Sequence, residues 1–91
     1  MKEEDARNIA ETCSILSEER RIMILSILTK GPRSVGELCR RLDMPQSVGS
    51  YHLGLLRQTG LANQKRDGRR MLYSLNKKAF SDLNKFLRTV K

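Results

Sequence analysis

The chain has 91 residues, with 18 lysines and arginines against 10 aspartates and glutamates and a formal net charge of +8. That length allows one domain, 1–91, with a core small enough that dimerisation would help its stability. No apolar run approaches the roughly 18 residues of a membrane span, and the start Met1-Lys2-Glu3-Glu4-Asp5 is too acidic and polar for a signal peptide, so a cytoplasmic protein is expected.

The charge is unevenly placed. Residues 1–19 carry a net −4 and residues 20–91 a net +12, so the basic part calls for a polyanionic partner. Two cysteines far apart in sequence suit a reducing compartment.

Ala6, Ile9, Ala10, Cys13 and Leu16 form one stripe and predict a helix over about 5–16 that buries one face. A second helix, about 18–29, follows with Ser17 as its expected cap and Glu18 and Glu19 at the positive end of its dipole. Its Ile22, Met23, Ile24, Leu25, Ile27 and Leu28 wrap more than one face, as in a central core helix. Lys30-Gly31-Pro32 ends it. Ser34 and Glu37 stand at capping-box spacing and open a third helix, about 35–42, that buries Val35, Leu38, Cys39 and Leu42. Asp43-Met44-Pro45 is the turn into a fourth helix, about 46–59, which stops at Gly60.

The fourth helix has two unlike faces. At about 100° per residue, Gln46, Ser47, Ser50, Tyr51, Gly54, Arg57 and Gln58 share one arc, and Val48, Gly49, His52, Leu53, Leu55, Leu56 and Thr59 fill the other. Two glycines inside a helix cost on the order of 1 kcal/mol each relative to alanine, and either could permit close backbone approach to the third helix or to phosphate. Beyond Gly60 come residues 61–66, then Asp67-Gly68, then residues 69–75, a hairpin with a primed turn and four cations around it: Lys65, Arg66, Arg69 and Arg70. A last helix, about 77–90, carries Ala79, Leu83, Phe86, Leu87 and Val90 at helical spacing.

The third helix, turn and fourth helix make a helix-turn-helix, and the hairpin makes it winged: a mainly α fold with a small β-hairpin between the fourth and fifth helices. A helix of small hydrogen-bonding groups beside a basic hairpin suits double-stranded DNA. From Leu16 to Leu75 the chain resembles the ArsR (arsenic-repressor-like) winged helix-turn-helix regulators. The resemblance lies in the run from Leu16 to Leu25, in Glu37-Leu38, in the run from Gln46 to Leu53, in Leu56-Arg57 and Gly60-Leu61, and in Asp67-Gly68-Arg69 through Tyr73-Ser74-Leu75. It implies that the fourth helix enters the major groove, that the hairpin tip reaches backbone or minor groove, and that the terminal helices pack a homodimer through Ile9, Cys13, Leu83, Leu87 and Val90.

The family's metal sites do not carry over. Where many of its metal sensors have Cys-x-Cys at the start of the third helix, this chain has Ser34-Val35-Gly36, and its last helix holds Asp82 and no histidine. No metal or other cofactor is expected. His52, on the apolar arc, is expected to be a partly buried structural histidine, and Cys13 and Cys39, on apolar stripes, to act as small hydrophobes.

These readings converge on a homodimeric DNA-binding repressor of transcription that reads a pseudo-palindromic site. Phosphates would be neutralised by Arg33, Arg40, Arg41, Lys65, Arg66, Arg69 and Arg70, and base edges met by Gln46, Ser47, Ser50 and Tyr51. Tyr51 offers one hydroxyl and a ring edge for a thymine methyl, but no bidentate contact to guanine; its plain alternative is packing on the neighbouring turn. Other readings are a regulator of the same fold answering a redox or small-molecule effector through Cys13 or Cys39, and a winged helix that binds protein or RNA. An enzyme is disfavoured, since one histidine, no evident carboxylate pair and no phosphate-cradling glycine loop assemble no catalytic group.

Overall fold

The computed structural model describes residues 1–90. Helix α1, Glu3–Ile15, starts two residues earlier than expected. Asp5 Oδ2 accepts the backbone N–H of Lys2 (3.3 Å), and Glu3, Glu4 and Asp5 all lie in the first turn, where the dipole favours acids. Helix α2, Glu19–Leu28, corrects the expected cap. The Ser17 hydroxyl instead donates to Ser14 O (2.6 Å) at the end of α1, and Glu18 Oε2 accepts the N–H groups of Arg20 (2.7 Å) and Arg21 (3.2 Å). A carboxylate in line with the free N–H groups gains hydrogen bonds and dipole attraction together, so it displaces the neutral hydroxyl.

Helix α3, Val35–Leu42, has the expected capping box, with Ser34 and Glu37 each accepting the other's backbone N–H at 3.3 Å. It ends at Asp43 in the left-handed region, φ 50°. Helix α4 runs Gln46–Gln58 with Pro45 as its N-cap, and Gly60 follows at φ +80°, a conformation glycine adopts without steric cost.

The sheet is larger than the expected hairpin. Strands β2, Ala62–Asp67, and β3, Arg70–Leu75, pair antiparallel, and a third strand, β1, Arg33–Ser34, pairs with the other edge of β3 through Arg33↔Tyr73 and Ser34↔Leu72. The connection between β2 and β3 is Gly68-Arg69, one residue later than expected. Only Gly68 has positive φ (64°), the pattern of a type II′ turn. The last helix also differs: a 3-10 turn covers Lys77–Phe80 before helix α5, Ser81–Thr89, and Asn76 ties its start to the fold through N–H to Leu61 O (3.0 Å). Over a single turn the two helix types share nearly the same side-chain spacing, so periodicity does not separate them.

Ile24 of α2, Leu38 of α3, Leu53 and Leu56 of α4 and Leu61 after it are fully buried and form the core with Leu25, Leu28, Met44, Ala62 and Tyr73. Each such side chain contributes about 1.5–3 kcal/mol by leaving water. This core holds α4 by one face only and leaves the other outward. The second apolar face of α2 stays uncovered, with Ile22 and Met23 both about half exposed.

Candidate nucleic-acid interface

Helix α4 divides as its two arcs require. Gln46, Ser47, Ser50 and Tyr51 are exposed, Tyr51 at 62%, whereas Leu53 and Leu56 on the other face have no exposure. The depth of α4 is set where it crosses α3. A Cβ added at Gly49 would overlap Cys39 Sγ and touch Met44 Cε, so the absent side chain is what lets α4 approach α3 at Cys39. Gly54 faces open space. The Cys39 thiol is buried and lies 3.8 Å from Pro45 O, beside the start of α4; Cys13, expected to pack, is exposed at the far end of α1.

Around this helix the cations fall into different settings. Arg40 and Arg41 are exposed on α3, Lys65 and Arg66 on β2, and Arg69 in the turn. Arg33 sits in the paired strand β1, half-buried, with Nη1 turned back to Pro32 O (2.9 Å). Arg70, 60% exposed in its side chain, faces two carboxylates, Glu37 Oε1 on α3 (3.8 Å) and Asp67 Oδ2 across the turn (3.6 Å). The Glu37 carboxyl is held below the ordinary range, first by the Ser34 backbone N–H it accepts and further by Arg33 and Arg70. Gln64 Nε2 donates to the buried Tyr73 hydroxyl (2.9 Å), which fixes the base of the wing. The pairing of Arg70 with Glu37, 33 positions apart, has no local sequence signal.

His52 is more deeply buried than expected, at 6% exposure. It meets Arg21 and Glu18 of the preceding helix-helix corner, contacts 31 and 34 residues distant in sequence that helical spacing could not indicate. Of the residues expected between subunits, Ile9 is already buried within the chain, Leu83 is half-buried, and Leu87 and Val90 are exposed. Among the described residues no three His, Cys, Asp or Glu side chains gather in one place, and no helix is long and apolar enough to cross a membrane.

Residues 18–64 match the family described as bacterial regulatory protein, arsR family. The chain is 41% identical over 61 residues to the transcriptional activator HlyU of Vibrio cholerae, an alignment covering 67% of this chain and 56% of HlyU. It is 31% identical over 88 residues to a biofilm growth-associated repressor of Xylella fastidiosa, covering 97% of this chain and 77% of the repressor. The chain thus spans just over half the length of the HlyU relative and about three quarters of the repressor. A solved structure of HlyU from Vibrio cholerae is similar throughout, with a TM-score of 0.81 at 30% identity and 98% of each chain covered.

Proposed function

Because the chain belongs to the ArsR family of bacterial regulatory proteins, we propose that it is a cytoplasmic, homodimeric repressor of transcription that reads double-stranded DNA through α4 and anchors it with the wing. The observation that carries this reading is the division of α4: one face buried against the core through Leu53 and Leu56, the other exposing Gln46, Ser47, Ser50 and Tyr51, on a helix that also contacts the basic strand β2. These side chains combine hydrogen-bond donors, acceptors and one aromatic edge, the groups that distinguish base pairs in the major groove. Arg40, Arg41, Lys65, Arg66 and Arg69 supply the cations that neutralise phosphate without reading sequence. In this reading the whole of 1–91 is one winged unit whose terminal helices pair two copies. The name of the Xylella fastidiosa relative supports repression; the name of HlyU supports activation, and transcription from a bound promoter with and without the protein distinguishes them.

The test separates reading from anchoring. A duplex selected by the protein from a random-sequence library and a scrambled duplex are titrated with two variants at several salt concentrations. Tyr51→Ala should cost about 1–3 kcal/mol on the selected duplex and little on the scrambled one. Arg69→Ala with Arg70→Ala should weaken both by similar factors. If Tyr51→Ala leaves the selected-to-scrambled ratio unchanged while the arginine pair alters it, the wing reads and the helix anchors, contrary to the proposal.

A further inference from the structure

His52 is the only histidine of the chain, and it stands between the N-terminal corner of α2 and the exposed face of α4. Its Nδ1 lies 3.4 Å from Arg21 Nη1 and its Nε2 4.0 Å from Glu18 Oε2. Both partners are themselves fixed. Glu18 caps α2, and Arg21 Nε donates to Ile15 O at 2.7 Å. A guanidinium has donors only, so the Arg21 contact requires Nδ1 as an unprotonated acceptor and leaves the imidazole proton on Nε2. That proton faces Glu18 at a separation too long for a hydrogen bond.

The imidazole also meets Tyr51. The two rings lie edge to face, with centroids 5.4 Å apart and planes inclined by 61°. Successive side chains on a helix diverge by about 100°, so a contact this close couples two rings that helix geometry alone would separate. The direction of the exposed Tyr51 ring is therefore tied to that of the buried one.

We infer that His52 is a positioning residue for duplex reading: its neutral imidazole, held by Arg21, sets the direction of the Tyr51 ring on α4, and protonation releases that ring. The inference rests on the assignment of Gln46, Ser47, Ser50 and Tyr51 as the reading face. Protonating Nδ1 replaces the hydrogen bond to Arg21 by cation facing cation, while the attraction to Glu18 grows. The ring is drawn toward Glu18, and its edge-to-face packing with Tyr51 changes with it. Burial is the largest influence on the imidazole and pushes its pKa down; Glu18 pushes it up, and Arg21 and Arg20, the other charged groups facing it from α2, push it down again. The neutral form is thus the resting one, and acidification is the signal.

A duplex selected at neutral pH and its scrambled counterpart are titrated between about pH 8 and pH 5, the range over which histidine changes charge. The lone imidazole is followed in parallel by proton NMR. The selected-to-scrambled ratio should fall about tenfold on acidification, the size of one lost base contact, with its midpoint at that of the imidazole titration. His52→Gln should hold the ratio constant over the same range, and Tyr51→Ala, lower throughout, should also lose the pH dependence. Should His52→Gln fail to fold, Glu18→Gln carries the test: without the carboxylate charge both midpoints should move to lower pH. A wild-type ratio independent of pH, a wild-type profile retained in His52→Gln or Tyr51→Ala, or unmoved midpoints in Glu18→Gln overturns the inference and leaves duplex reading standing. Failure to select any duplex instead removes the assignment of the reading face on which it rests.

Discussion

Two glycines on one helix have opposite consequences. At Gly49 an added methyl would overlap the buried Cys39 Sγ, which must shift to admit it, beside the buried Met44 Cε. Gly49→Ala should destabilise the fold by about 1–3 kcal/mol in denaturant titration despite alanine's better helix propensity. Cys39→Ala in the same chain should recover most of that loss. Gly54 meets nothing, so Gly54→Ala should instead stabilise by about 0.5–1 kcal/mol. Sequence alone could count both glycines as helix defects but could not tell them apart, because the difference lies in a side chain of another helix. His52 adds a second residue-scale expectation. Its pKa is lowered in the folded chain, chiefly by burial, so the unfolded chain binds the proton first as pH falls. Its contribution is complete above the unfolded value of about 6.5 and is lost as pH drops toward the lowered native value. Thermal unfolding should show that acid limb in wild type and not in His52→Gln; a limb of equal size in both would contradict the burial account.

At the scale of elements, what could be read in advance were the features made by near neighbours. The Ser34–Glu37 capping box, the stop at Gly60 and the two faces of α4 each depend on residues within a turn or two of one another, and each stands where expected. Strand β1 was not legible, since two residues have no alternation to detect and owe their conformation to the free edge of β3. The hairpin turn sits one residue later because Gly68, at φ 64°, takes the first turn position, where a type II′ turn calls for a positive φ, and Asp67 pairs with Arg70. This places Arg69 and Arg70 in different roles. Arg70 leans between Glu37 and Asp67, whereas Arg69 occupies the tip. Arg69→Ala should flatten the salt dependence of duplex binding by about two units, one for each copy in the dimer, and Arg70→Ala by clearly less, because its charge is already partly balanced. Equal slopes for the two single variants would show that the carboxylates do not engage Arg70 when DNA is present.

The molecule as a whole keeps large apolar side chains in water. Ile22, Met23, Phe86, Leu87 and Val90 are all more than a third exposed, on a chain whose core is near the lower size for independent folding. In the proposed dimer the terminal helices cover part of this surface. Leu87→Lys, at a side chain 54% exposed, should leave the helical circular dichroism intact and shift sedimentation to a monomer; adding Leu83→Lys, which is half-buried, should also lower thermal stability. A wild-type chain that stays monomeric at high concentration would refute the assembly. In the proposed complex the basic surface, net +12 over residues 20–91, meets the phosphates of a duplex. The most direct test is the salt dependence of duplex affinity. With roughly six to ten phosphates neutralised across a dimer, log K should fall against log salt with a slope of about −5 to −9, and a slope near zero would contradict that contact.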